Sequence, residues 1–186
     1  MKTLIALVML AGTALAQTTT TLAVTGPSTV YPGQTIDLTV SLVNGGPLIG
    51  AGWQIPAKAT VKPVQPPVAN KSQTCGASAC LMYGMNRLAI PDGVVQVLSY
   101  KVPIDAVPGS KITLSVDPTF GVDASGVELA VSNLPLTATV VTNPLDLNHD
   151  GLVDTKDYNL ASATWLASQS KADGLIVMGI VVYTSN

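Results

Sequence analysis

Along residues 35–43, Thr-Ile-Asp-Leu-Thr-Val-Ser-Leu-Val, apolar and polar side chains alternate one by one. A period of two puts Ile36, Leu38, Val40 and Leu42 on one face of an extended chain, the mark of a half-buried strand. Asn44-Gly45-Gly46-Pro47 then stops it with turn residues. Residues 94–102 alternate again, with Val95, Val97, Ser99 and Lys101 opposite Val94, Gln96, Leu98, Tyr100 and Val102. Shorter strand-like runs lie at 21–24, 48–55, 81–83, 88–90, 111–116, 128–131 and 136–141, separated by signals such as Gly26-Pro27, Pro91-Asp92-Gly93 and Pro108-Gly109. Residues 62–68 hold three prolines and read as an edge or a loop. About eight or nine short strands without helical periodicity predict a mainly β protein, an antiparallel β-sandwich over 17–142.

The pattern changes after Asn143-Pro144. Residues 155–167 place Tyr158, Ala161 and Trp165 at i, i+3 and i+7, which predicts a short helix anchored by Trp165 against the sandwich. The segment 143–168 is therefore a loop followed by a helix. In the remaining 169–186, residues 174–183 are almost wholly apolar and rich in β-branched side chains. That run is short for a transmembrane helix, so a strand is expected. Uncovered, it is an aggregation hazard, and it could add to a neighbour's sheet edge and build an extracellular filament.

The N-terminus predicts export. Met1-Lys2, an apolar run to Leu15 and the small-x-small end Ala14-Leu15-Ala16 predict a signal peptide over 1–16. The expected product is secreted, extracellular or at the cell surface, and not membrane-spanning after cleavage. The formal net charge is −2, and the basic residues are scattered singly, which argues against nucleic acid as a partner. The two cysteines, Cys75 and Cys80, read as a disulfide in an oxidising compartment. The competing C-x4-C metal site needs two more ligands, and the single histidine, His149, is far off in sequence.

The strongest chemical signal is residues 146–157, Asp-Leu-Asn-His-Asp-Gly-Leu-Val-Asp-Thr-Lys-Asp. Four of the chain's 11 acidic residues fall within it, and they repel one another unless a cation holds them. Oxygen-bearing side chains occupy positions one, three, five, nine and twelve of an EF-hand-type loop, with Gly151 at the sharp turn and Val153 at the apolar position eight. The expected cofactor is Ca²⁺. Asp146, Asn148, Asp150, Asp154 and Asp157 would give side-chain oxygens and Leu152 its backbone carbonyl. A strand and a proline precede the loop, so this is loop-then-helix rather than helix-loop-helix.

Catalysis finds little support. Asp92, Asp105, Asp117, Asp123 and Glu128 have no distinctive spacing, and His149 lies inside the acidic loop, so a non-enzyme is expected. Aromatics are few, with 2 Trp, 5 Tyr and 1 Phe. Trp53 and Tyr83 are candidates for stacking on sugars, but a tryptophan in a strand is more often core. A carbohydrate-binding module, with polysaccharide as the ligand, is the alternative function.

Two resemblances cover nearly all of the chain after residue 16. Asp146-x-Asn148-x-Asp150-Gly151-x-Val153-Asp154-x-x-Asp157 resembles one repeat of a dockerin, with Asp rather than Glu at the twelfth position. The run from Asp92 to Leu114 is similar to a cohesin domain, in which a strand with a buried aromatic leads through Ala106-Val107-Pro108-Gly109 to another strand. The resemblance implies a nine-stranded cohesin-like jelly-roll sandwich with a calcium loop-helix segment. It implies a non-catalytic binding or assembly module of the kind that builds polysaccharide-degrading or cell-surface complexes. The implied partner is a protein, of dockerin or cohesin type or a second copy of the chain, contacted through Thr155 and Lys156 at loop positions ten and eleven. A second repeat over 169–180 is degenerate. Asp173, Gly174 and Ile176 match it, but Gln169, Lys171, Val177 and Ile180 stand at ligand positions.

Overall fold

A computed structural model describes residues 19–63, 68, 70–84, 86–168, 176 and 180. The expected signal peptide, and most of the tail beyond residue 168, lie outside the described residues. The strands are β1 (Thr20–Thr25), β2 (Thr29–Val30), β3 (Thr35–Val43), β4 (Gly50–Gln54), β5 (Ala59–Lys62), β6 (Ser72–Cys75), β7 (Ala79–Tyr83), β8 (Gly93–Lys101), β9 (Lys111–Leu114), β10 (Asp117–Val122), β11 (Val131–Leu134) and β12 (Leu136–Val140). The helix α1 (Thr155–Ser168) follows them.

The strands form a five-stranded sheet in the order β11-β1-β3-β8-β5, and a four-stranded sheet in the order β10-β4-β7-β6. A small ladder, β2-β12-β9, completes the β-structure of the described residues. The core lies between the two main sheets. Leu38, Val40, Leu42 and Leu98 enter it from one side, Ala51, Trp53, Cys80 and Met82 from the other. Trp53 is core, as expected, at 1% exposure, so no sugar can stack on it. The pairing is not wholly antiparallel. β1 runs parallel to β11, and β12 parallel to β2.

β3 matches the alternating run from Thr35 to Val43 residue for residue. β8 departs from its pattern. A bulge opposite Val40 and Ser41 inserts Val95, so Val95 and Gln96 are both buried although they are neighbours in sequence. Gln96 is satisfied there by donating to the carbonyls of Lys62 (3.1 Å) and Val97 (2.7 Å). Its Oε1 accepts from Gln73 of the opposite sheet, a polar tie between the layers. The disulfide joins Cys75 to Cys80 across the β6–β7 hairpin, and both sulfurs lie beside Gln96 Oε1, at 3.4 and 3.5 Å.

Three expectations are corrected. Residues 88–90 are not a strand, because Ile90 is used once, donating its N–H to Leu48 and burying its side chain. Trp165 does not anchor the helix, being 42% exposed; the small Ala161 supplies the buried contact of that face. The expected tail strand is absent at its two described residues, since Ile176 and Ile180 have helical backbone. Ile180 is fully buried.

Candidate functional site

The acidic loop starts directly from the sandwich. β12 ends at Val140, and Val141 donates its N–H to Val30 (2.8 Å). Buried Asn143 then turns the chain. Its Oδ1 accepts the Leu145 N–H (3.0 Å) and its carbonyl the Asp146 N–H (3.0 Å). Gly151 has φ +88°, a left-handed turn that favours glycine, and His149 shares that region at φ 59°.

Each expected ligand finds a place in this turn. Asp146 Oδ2 accepts the Gly151 N–H (2.9 Å), which closes the loop across its sharp turn. Asn148 Oδ1 accepts from Asp150 N (2.9 Å), and Asp150 Oδ1 from Leu152 N (3.0 Å), two successive Asx-turns. Asp154 caps α1 by accepting the Lys156 N–H (2.7 Å), while Asp157 Oδ2 accepts the Asp154 N–H (2.9 Å). Asp154 is thus the N-cap, and Asp157 reaches back to its backbone N–H. Asp157 Oδ1 also accepts from Leu147 N (2.7 Å) and Asn148 N (3.1 Å), so this buried carboxylate ties both ends of the loop together.

The charges are partly balanced within the loop. Lys156 Nζ stands 3.0 Å from Asp150 Oδ2. Its bond holds the Asp150 carboxyl below the usual carboxylate range, with the Leu152 N–H helping, and Asp150 in turn raises the Lys156 ammonium. Thr155 and Lys156, the expected partner contacts, are both exposed at the helix start, but the Lys156 ammonium is engaged with Asp150.

Among the described residues, no group of three or more His, Cys, Asp or Glu side chains converges in metal-holding geometry. Most carboxylate oxygens of the loop are turned to backbone N–H groups. Among the described residues, one buried oxygen of the loop is left over: Asp146 Oδ1 has no hydrogen-bond partner, on a residue 4% exposed. A buried, unpaired carboxylate oxygen is costly, and a hard cation is its natural partner. The residues present thus fit calcium at loop position one.

A second feature escaped the sequence reading. The outer faces of the two main sheets differ in chemistry. The five-stranded sheet shows water Thr21, Thr25, Thr39, Thr60, Ser99 and Ser132 together with the exposed aliphatics Val43, Val94 and Leu134, crossed by a Lys62–Asp37 ion pair at 2.6 Å. The four-stranded sheet shows water Leu81, Tyr83 and Phe120, all exposed. Phe120, Gly52 and Leu81 lie in one row across it, and Val122 pairs with Gly50. A β-carbon on Gly52 would stand 2.5 Å from the Phe120 ring, so the ring lies flat over the glycine. The sequence signal was the small-residue run Gly50-Ala51-Gly52 beside alternating Leu81 and Tyr83. Pairing it with Phe120 needs strand β10, which the pattern did not predict.

No known protein family and no curated protein matches the sequence. Solved structures do resemble the sandwich. A chain of a type I cohesin–dockerin complex of Clostridium thermocellum has TM-score 0.51 at 12% identity, covering 67% of this chain and 95% of that one. A non-cellulosomal cohesin of the hyperthermophilic archaeon Archaeoglobus fulgidus has TM-score 0.46 at 14% identity, covering 71% of this chain and 98% of that one. The likeness is one of fold: this chain is built on a cohesin-like β-sandwich, with a helix at its C-terminal end.

Proposed function

We propose that this chain is a secreted, non-catalytic protein-binding module whose C-terminal loop and helix are held by calcium. The observation that carries it is the difference between the two outer faces. A sheet face that exposes Phe120, Leu81 and Tyr83 around flat glycines offers apolar area and rigid aromatic anchors to a protein. The face opposite mixes hydroxyls with the aliphatics Val43, Val94 and Leu134 and, among the described residues, offers no aromatic anchor. Calcium is supported by the spacing of Asp146, Asn148, Asp150, Leu152, Asp154 and Asp157, and by the unpaired Asp146 Oδ1. The cation would hold the crowded carboxylates together; the chain's own N–H groups already shape the loop around it.

A dockerin-type module is the first partner class to test, since a similar sandwich occurs in a cohesin–dockerin complex. The test is calorimetric binding to a panel of dockerin modules, comparing wild type with a Tyr83→Asp/Phe120→Asp variant. Both side chains are exposed, so the variant should melt as wild type does and lose binding. Equal binding by wild type and variant would move the interface off this face. A place in a polysaccharide-degrading complex would follow from the identity of such a partner.

A second copy of the chain is the competing partner. Helix α1 exposes Tyr158, Leu160, Trp165 and Leu166, a second apolar surface on the same chain. Contact between unlike surfaces need not close, and could build a filament. Sedimentation with and without residues 169–186 decides the role of the tail. A monomer in both forms would rule out tail-driven assembly. Direct sugar binding is less favoured, because burial of Trp53 leaves no broad aromatic strip.

A further inference from the structure

We infer that calcium at the acidic loop stabilises the whole sandwich, so that the loop is a metal-dependent clasp of the fold rather than a separable module. This rests on the calcium reading above and goes beyond it, because an EF-hand-type loop can equally fold by itself.

The connection is the first ground. No linker separates sandwich from loop. Val140 exchanges bonds with the β8–β9 connection, accepting from Gly109 N (2.8 Å) and donating to Ser110 O (2.9 Å). Val141 is still bonded to Val30. Two residues later, buried Asn143 already holds the Leu145 and Asp146 N–H groups. The last residue fixed by the sandwich and the first expected ligand are therefore one continuous bonded path.

The seat is the second ground. The loop tip faces the β8–β9 connection across a cleft of about 390 Å³ lined by Pro32, Ile104 and Val107 from the sandwich, and by Asn143, Asp146 and Gly151. Asp146, the residue with the unpaired oxygen, is 4% exposed within this arrangement. A β-carbon on Gly151 would stand 3.9 Å from the Ile104 carbonyl, ordinary contact distance. Asp146 thus lines one cleft with Ile104 and Val107 of the sandwich, so the surroundings of its unpaired oxygen form only when that corner is folded. Linkage then runs both ways: a cation that binds only when the corner is folded stabilises the corner in return.

The chain carries its own reporters. Of the 2 tryptophans, Trp53 is in the sandwich core and Trp165 is exposed on α1. Trp165→Phe leaves Trp53 fluorescence as a probe of the sandwich alone. Denaturant unfolding of the full chain is followed by Trp53 at a series of free calcium concentrations, with calcium binding measured by calorimetry on the same variant. The expected result is that the Trp53-reported unfolding constant falls about tenfold for each tenfold rise in free calcium above the dissociation constant. The β-signal of wild-type circular dichroism should move in step. Calcium binding by calorimetry with an unmoved Trp53 transition would overturn the inference and leave the calcium site standing. No heat of binding would remove the calcium reading, and the clasp with it.

Discussion

At the scale of single residues, Asp157 and Asp146 divide the work of the acidic loop. Asp157 accepts three backbone N–H groups, from Leu147, Asn148 and Asp154, so part of its role needs no metal. Asp157→Ala leaves those donors unpaired and should destabilise the loop-helix segment by about 1–3 kcal/mol even in chelator. Helical circular dichroism during thermal melting measures it. Asp146→Asn keeps an acceptor for Gly151 and removes the charge. It should weaken calcium binding at least tenfold by calorimetry while leaving melting in chelator nearly unchanged. A third carboxylate acts far from the loop. Asp123 is held below the usual carboxylate range chiefly by the Ser125 hydroxyl, with the Val127 N–H next. A depressed folded-state pKa gives stability that is present above the unfolded value and is lost as pH falls through the folded one. Acid titration of Asp123→Asn should therefore lack that part of the low-pH loss seen in wild type. The loop was legible at this scale because its oxygen-bearing side chains are local: spacing alone names Asp146 to Asp157. The N-cap role of Asp154 and the Asp146 oxygen left without a donor were not.

Elements show where periodicity suffices. β3 keeps strict alternation because it is central and one of its faces is buried along its whole length. β8 begins in the same manner, yet its bulge buries Val95 and Gln96 together, and nothing local marks a bulge that answers the partner strand. β6 and β10 went unpredicted for a different reason. Ser72–Cys75 and Asp117–Val122 are edge strands of the four-stranded sheet, and their polar, proline- or glycine-bearing sequences become strands by pairing. The Cys75–Cys80 bridge pins β6 in place. Replacing both cysteines with serine should lower stability by about 2 kcal/mol, the small value expected for a short closed loop. Denaturant midpoints measure it, and the loss should fall first on β6. Helix α1 has the predicted bounds within a residue, but its buried contact is Ala161 and its tryptophan faces water. A 3.6-residue period finds the face; it cannot tell which member of the face meets a neighbour.

Across the whole molecule, the two main sheets make one core with unlike outer surfaces. Stability should be graded outward from its centre. Amides of β3 and β8, flanked by strands on both sides, should exchange hydrogen only through global unfolding, and those of β6 and β10 earlier. Hydrogen exchange read strand by strand tests that order. The sequence by itself determined the strand-rich sandwich, the Cys75–Cys80 bridge and the acidic loop with its helix. Each depends on neighbours within a few residues, where hydrophobic period, cysteine spacing and the spacing of acidic residues act. Only the tertiary structure decided which sheet face carries the exposed aromatics, that Phe120 covers Gly52, and that the loop shares a cleft with Ile104 at the end of the sandwich. Those facts join residues far apart in the chain. They follow from strand order and from which side chains the core had room to bury, and no local pattern encodes either.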